Sequence, residues 1–480
     1  MYYGQLKNYN CKDTIAAIAT FPAQSAIGII KISGKRAISI VSGVFLSRKK
    51  KDLKKVKTYT LHYGWIVEKL KVKNQKSKKN VMVDEVLVSV MKGPRSYTKE
   101  DVVEISCHGG PAVLQKILEI IIQQGARPAS PGEFTYRAFV NGRIDLLQAE
   151  AIASIVEAKT SHSLEPAMQQ LRGEASVRLQ EIKETIKELF SHTQALLDFP
   201  EDNITLSVSA VTKRLVVVKK KLDAMLQGGT RARILKEGLR CVICGKTNVG
   251  KSTLFNRLLN QERVIVSRLP GTTRDVVEET ISIRGVPLRI YDTAGILEPK
   301  DLVEKKAVEK SSHAFQEADM VLLMLDGSRK LQKADRFLLE KITQAVKADT
   351  GKKVIVIINK TDLRQKLVCE NLTGACVRLV RVSALRDKGI KSLEKAIVDL
   401  VYKEGLKRDD IIFLNQLQRR TLEEANLSIA EALEYLRKSY TIDFVQASLQ
   451  QAIDAIGRIS GAIPNEEILK EIFSRFCIGK

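Results

Sequence analysis

Residues Gly245-Lys246-Thr247-Asn248-Val249-Gly250-Lys251-Ser252 fit the pattern G-x-x-x-x-G-K-[ST], a spacing suited to holding phosphate. The glycines allow consecutive backbone N–H groups to curl around phosphate oxygens at the start of a helix. Lys251 would then reach the β- and γ-phosphates of a nucleotide, and the Ser252 hydroxyl would ligate Mg²⁺. Asn248, Val249, Gly250 and Thr253 complete the expected phosphate-binding segment. Downstream, Asp292-Thr293-Ala294-Gly295 offers a carboxylate for the magnesium shell and a glycine N–H able to sense the γ-phosphate. Alone this match is weak, but after a phosphate loop it is strong. Asn359-Lys360-Thr361-Asp362 would select the base. Asp362 can accept hydrogen bonds from guanine N1–H and from the exocyclic amine, a donor pair that adenine lacks. Ser383-Ala384 would add a backbone N–H for the guanine carbonyl oxygen. In this order the motifs point to GTP as the nucleotide and to its hydrolysis.

Between the first two motifs, Gly271-Thr272-Thr273-Arg274-Asp275 has the position of a switch, with Thr273 the candidate second Mg²⁺ ligand. Ile296 follows the DTAG stretch where some GTPases place a water-orienting glutamine, so another group must orient the attacking water.

Such motifs need strand ends to carry them. Apolar, β-rich runs at 239–244, 288–291, 320–326, 353–358 and 378–382, each separated by room for a helix, predict a doubly wound, mostly parallel sheet. Before it, runs at 27–32, 86–91 and 102–107 with a helical stretch near 113–123 predict an α+β domain. Helical spacing then marks Leu146, Ala149, Ile152 and Val156, and later Leu179, Ile182, Ile186 and Leu189. The same texture returns at Leu422, Ala425, Ile429, Leu433 and Leu436. The expected architecture is thus multidomain α+β and α/β. It has an N-terminal domain at 1–142, a discontinuous all-α domain at 143–238 and 403–480, and a Ras-like P-loop domain inserted at 239–402.

A chain of 480 residues exceeds one ordinary core, in keeping with several domains. Its apolar runs fall short of the ~18 residues a bilayer span needs. With no signal-like N-terminus and seven scattered cysteines, a reducing cytoplasm and no membrane are expected. The 79 basic and 55 acidic residues leave +24, which favours polyanionic partners. Part of the excess sits in lysine-rich segments at 47–57 and 71–80, read as solvated surface loops. Phosphate contact stays open for them, although lysine runs without interleaved aromatics bind nucleic-acid backbones non-specifically. Cys241 and Cys244 form C-x-x-C, yet their odd offset on a strand points the thiols to opposite faces. His108 is read as structural in a glycine turn.

GKTNVGKS, PGTTRD and DTAG, together with Cys107-His108-Gly109-Gly110-Pro111, Pro131-Gly132-Glu133-Phe134 and the terminal Phe476-Cys477-Ile478-Gly479-Lys480, resemble the MnmE (TrmE) family of tRNA-modifying GTPases over essentially the whole chain. The resemblance implies an N-terminal tetrahydrofolate-binding and dimerisation domain. It also implies a homodimer, and a heterotetramer with the FAD-dependent MnmG (GidA) protein. Together these would add a carboxymethylaminomethyl or aminomethyl group to C5 of the tRNA wobble uridine, using a folate one-carbon unit. It further implies K⁺-stimulated hydrolysis, with Asn248, Ser267, Leu269 and Thr272 around the ion, and Ser267 and Thr272 also beside the GTP. Glu304 matches the carboxylate that positions the hydrolytic water, and Lys31, Glu104, Arg143 and Lys480 match the folate site. Cys477 is either a reactive thiol or a packing residue. A ribosome-assembly GTPase binding rRNA would also be basic and carry a GTTRD loop, but it would lack the FCIGK terminus. A membrane-remodelling GTPase would need a lipid-binding tip, and none is evident.

Overall fold

A computed structural model describes residues 13–21, 23–48, 51–71, 78–158, 160–198, 207–261, 278–292, 318–348, 352–368, 378–402, 411–438 and 440–461, with 469, 472, 473, 476 and 479. It divides into two compact units. One comprises Met1–Ala153, Leu171–Val218 and Asn415–Lys480, and the other Ser154–Gln170 and Lys219–Leu414.

The first unit holds a seven-stranded sheet. Its strands are β1 (Ile15–Ile18), β2 (Ser25–Ser33), β3 (Phe45–Leu46), β4 (Thr60–Lys71), β5 (Lys78–Met91), β6 (Val102–Gly109) and β7 (Arg127–Pro128), in the order β3-β4-β5-β6-β2-β1-β7. Alternation decides which face is covered. Ile30, Ile32, Val88, Val90, Val103 and Ile105 point into a core closed by α1 (Ala37–Val44) and α2 (Pro111–Gln123), while Leu61, Tyr63 and Leu87 stand exposed. The lysine-rich segment 71–80 is not wholly a loop, because Lys78, Lys79 and Asn80 pair with Lys71, Leu70 and Lys69 as the β4–β5 hairpin. Cross-strand pairing overrides the low strand propensity of lysine there. His108 likewise lies in strand β6 and is exposed, its Nδ1 2.7 Å from Asp84 Oδ1. That carboxylate, by hydrogen bond first and charge second, holds the imidazole pKa above its ordinary value.

Helix α3 (Glu133–Val140) is tied down by charge. Arg137 and Glu133 are fully buried, and Arg137 reaches Asp13 at 2.6 Å, Glu133 at 3.0 Å and Glu100 at 3.2 Å. Arg127 adds a second bond to Glu133 at 2.7 Å, so both of these buried charges have opposite partners, as burial demands. Gly132 precedes this helix at φ 71°, where a Cβ would fall 2.7 Å from the Phe473 carbonyl oxygen. Only glycine fits both the backbone angle and the space.

Next come α4 (Leu146–Glu157), α5 (Ser161–Leu171), α6 (Glu174–Asp198) and α7 (Val208–Glu237). The stripe Leu179, Ile182, Ile186 and Leu189 is buried as expected. On α4 the buried line runs through Leu146, Ala149 and Ala153, and Val156 is exposed, because the face turns by i+3 and then i+4.

The second unit carries β8 (Leu239–Cys244), β9 (Glu278–Ile283), β10 (Val286–Asp292), β11 (Met320–Asp326), β12 (Lys353–Asn359) and β13 (Arg378–Arg381), in the order β13-β12-β11-β8-β10-β9. All neighbours are parallel except the β9–β10 hairpin. Both faces are covered, which is why the central strands read as continuous apolar runs. Cys241, Leu322 and Ile355 pack beneath α8 (Lys251–Gln261) and α10 (Ile390–Tyr402), and Cys244, Leu323 and Val356 lie on the other face with α9 (Lys333–Ala348). The two cysteines thus occupy opposite cores, and burial pushes the Cys244 thiol up to about 12.

Returning to the first unit, α11 (Gln416–Arg437) opens with a capping box. Asn415 Oδ1 accepts from the Gln418 N–H at 2.7 Å, and Gln418 Oε1 accepts from the Asn415 N–H at 3.1 Å. It packs against α12 (Ile442–Ser460), which also packs on α6. Among the described residues, no helix is long and apolar enough to cross a membrane.

Candidate functional sites

Strands β8, β12 and β13 end at one edge of the parallel sheet, and the loops leaving them form a cavity of about 510 Å³. Ligands of open α/β sheets bind at this carboxyl edge. The cavity brings together Asn248, Gly250, Lys251, Ser252, Thr253, Asn359, Lys360, Asp362 and Ser383 of the expected nucleotide residues. The phosphate loop is built for close approach. Gly245, Asn248 and Gly250 have φ of 147°, 62° and 100°, and a Cβ on Gly250 would lie 2.3 Å from Asn359 Nδ2. Lys251 Nζ donates to the carbonyls of Gly245 and Lys246, both at 2.8 Å, holding the loop around its own ammonium. Ser252 lies in the first turn of α8, whose N-terminal N–H groups favour an anion.

The base-recognition loops are locked to the phosphate loop by one side chain. Asn359 donates to the Val249 carbonyl at 2.7 Å and accepts from the Ala384 N–H at 3.0 Å. Ser383 donates its hydroxyl to Asp362 Oδ1 at 2.6 Å. That bond first, with backbone and cationic neighbours, holds the Asp362 carboxyl below its ordinary value, so the acceptor is ionised. Arg257 of α8 donates to the carbonyls of Ala384 and Leu385 and so steadies the last loop. Asp292 closes β10 beside Ile243. Ser267, Leu269, Thr272, Thr273, Thr293, Ala294, Gly295, Glu304, Cys477 and Lys480 lie outside the described residues.

Reading the motifs alone missed Leu363 and Leu385, exposed apolar side chains lining the cavity where a planar base needs contact. It also missed Asp326, the last residue of β11. Asp326 receives Lys360 Nζ at 2.7 Å, Arg329 Nε at 2.8 Å, and the Ser328 hydroxyl and N–H at 2.7 and 3.0 Å. Burial alone would raise its pKa, but these bonds outweigh burial and hold the carboxyl far below the carboxylate range. The only signal in the sequence was an acidic residue ending an apolar strand. Asp326→Asn should leave Lys360 without a charged partner and weaken GDP binding by about tenfold, roughly the 1.4 kcal/mol of one charge-assisted bond. Competition titration with a fluorescent guanine nucleotide checks this, and wild-type affinity in the variant would limit Asp326 to holding the fold.

In the first unit, two of the four residues matched to a folate site meet at one ring, and a third pairs with one of them. Lys31 Nζ lies 4.2 Å from the Tyr97 centroid and 4.0 Å from Glu104 Oε1, and Arg143 Cζ lies 4.8 Å from the same ring. Phe134 comes within 5.2 Å of Lys31 Nζ, placed there by the buried ion network at the start of α3. Tyr97 was not read from the sequence. Its hydroxyl shares a 2.8 Å hydrogen bond with Thr135, and burial raises its pKa.

A doubly wound parallel sheet that presents a phosphate loop and an NKTD loop at one carboxyl edge defines a P-loop GTPase. Family descriptions extend this beyond the sheet: "GTP-binding protein TrmE N-terminus" matches residues 14–143, and "MnmE helical domain" matches 146–477. The chain belongs to the MnmE (TrmE) family of tRNA modification GTPases, as the motif resemblance implied. The tRNA modification GTPase MnmE of Thermoanaerobacter pseudethanolicus is 42% identical over 98% of this chain and 99% of its own length. Those of Alkaliphilus metalliredigens and Bacillus subtilis are each 40% identical over 98% of this chain, and over 99% and 100% of their own.

Proposed function

We propose that this chain hydrolyses GTP as a step in modifying the wobble uridine of tRNA. The observation that carries the nucleotide choice is the Asp362 carboxylate, ionised and aimed into the cavity by Ser383. The family membership carries the tRNA. Ser252, with Thr273 and Asp292, would hold Mg²⁺ as hard oxygen donors, and the ion would offset negative charge on the phosphates. Asn248, exposed on the cavity wall, with Ser267, Leu269 and Thr272, would hold K⁺ against the phosphates and neutralise developing charge. Hydrolysis should then run several-fold faster in K⁺ than in Na⁺ at equal ionic strength, and equal steady-state rates would remove the ion from the mechanism.

The Tyr97 cluster supports a folate site in the N-terminal domain, 1–142. Cations at Lys31, Arg143 and Lys480 suit glutamate carboxylates, Glu104 can accept pterin N–H groups, and Tyr97 offers a face for a flat ring. Bound folate would supply the one-carbon unit. In this reading the helical domain, 143–238 and 403–480, flanks the GTPase domain at 239–402. A homodimer working in the cytoplasm with an FAD-dependent MnmG partner completes it. Nucleoside mass spectrometry of tRNA from a deletion strain should show loss of the C5 carboxymethylaminomethyl or aminomethyl uridine. An unchanged nucleoside profile would overturn the tRNA reading.

A further inference from the structure

Helix α8 leaves the phosphate loop and carries Arg257 to the loop that follows β13. Leu254 and Leu258 are fully buried in the sheet core, so the helix that bears Arg257 is fixed. Its guanidinium forks onto two successive carbonyls: Nε donates to that of Ala384 at 3.2 Å and Nη2 to that of Leu385 at 3.1 Å. A planar fork can span both, and a single ammonium cannot.

Those bonds single out one peptide group. The motif alone makes Ala384 the expected N–H donor to the guanine carbonyl oxygen. In the fold Ala384 is fully buried and is not among the residues that line the cavity, and its N–H already donates to Asn359 Oδ1 at 3.0 Å. The Ser383 N–H donates to the Lys388 carbonyl at 2.9 Å, and the Arg386 N–H to the Ser383 hydroxyl at 3.2 Å. From Ser383 to Arg386, the Leu385 N–H alone has no acceptor among the described residues. Leu385 is 67% exposed and lines the cavity. Its N–H belongs to the same peptide group as the Ala384 carbonyl that Arg257 holds. A cation on that carbonyl fixes the peptide plane and polarises the N–H at its other end, which strengthens it as a donor.

We propose that the Leu385 N–H receives the 6-oxygen of guanine, and that Arg257 is the positioning residue that holds this donor in place. It rests on the guanine reading of the cavity and adds the second half of base recognition, since Asp362 accepts from N1–H and the exocyclic amine while Leu385 donates to the 6-oxygen. The two halves are anchored separately, because Ser383 is held by Lys388 and bonded to Asp362 without help from Arg257. Loosening the Leu385 peptide should therefore leave the Asp362 half intact.

Two nucleotide analogues separate these halves. 6-Thio-GDP puts sulfur, a weak acceptor, in place of the 6-oxygen and keeps both donors, whereas IDP keeps the 6-oxygen and N1–H but lacks the exocyclic amine. Competition titrations of the full-length protein against a fluorescent guanine nucleotide use buffer acidic enough for the thiopurine to retain its N1 proton. The wild-type protein should bind GDP about five- to tenfold more tightly than 6-thio-GDP, the scale of one neutral hydrogen bond. In Arg257→Ala that preference should shrink to roughly twofold or less, while the preference for GDP over IDP keeps its wild-type value. If the alanine variant fails to fold, Arg257→Lys decides, because its ammonium can hold one carbonyl and not both, and the preference over 6-thio-GDP should narrow to about half. A wild-type protein indifferent to the sulfur, or variants with an unchanged preference over 6-thio-GDP, overturns the role of Leu385 and Arg257 and leaves the guanine reading standing. Both preferences narrowing together would make Arg257 a support of the whole pocket and overturns its specific role. A wild-type protein that does not distinguish GDP from IDP overturns the guanine reading through Asp362 instead.

Discussion

Replacing Asp362 with asparagine is expected to lower GTP affinity by about a hundredfold or more and to raise affinity for xanthosine triphosphate. The carboxylate offers two acceptor oxygens to two guanine donors, and each bond to a charged partner is worth roughly 1.5–3 kcal/mol, about ten- to a hundredfold. The asparagine amide keeps one acceptor and turns an N–H₂ group toward the guanine amine, donor against donor. Xanthine has a carbonyl where guanine has that amine, so the pairing is restored. Asp362 is exposed, and its known bond is to a rotatable hydroxyl, so the fold should tolerate the change. Competition titrations with GTP, xanthosine triphosphate and ATP decide the matter. Equal binding of ATP and GTP by the unmutated chain would sink the assignment, as would a variant that keeps GTP without gaining xanthosine triphosphate.

Glu304→Ala is expected to reduce kcat for GTP by roughly 10²–10⁴-fold, the range for losing a positioned general base. Ile296 after the DTAG glycine leaves the attacking water without the usual glutamine, and Glu304 is the carboxylate proposed for that work. Guanine affinity should barely move, because Asn359, Asp362 and Ser383 take no part in the change. Single-turnover hydrolysis alongside nucleotide titration separates the possibilities. A normal rate would return Glu304 to the status of a surface charge beside Lys305 and Lys306, and lost nucleotide binding would mark it as structural.

What the sequence determined by itself was local in the chain. The phosphate loop and the NKTD loop are each a strand end, a turn and a short run of residues, so their chemistry is spelled by neighbours, and the parallel sheet beneath them shows as doubly buried apolar runs. The buried stripe of α6 was legible for the same reason, since helical periodicity repeats within one element. What only the tertiary structure decided joins residues far apart in sequence. Lys31 meets Glu104 because β2 pairs with β6 in one register, and a slip of one residue would put the two side chains on opposite faces. Tyr97 between Lys31 and Arg143, Asp326 under Lys360, and Trp65 beside Arg48 depend on such pairing and packing. Periodicity tells which face a residue takes and not which distant residue shares it. Composition showed that the chain was basic, but only folding brought Trp65 to Arg48, beside the short β3–β4 pairing at the sheet edge.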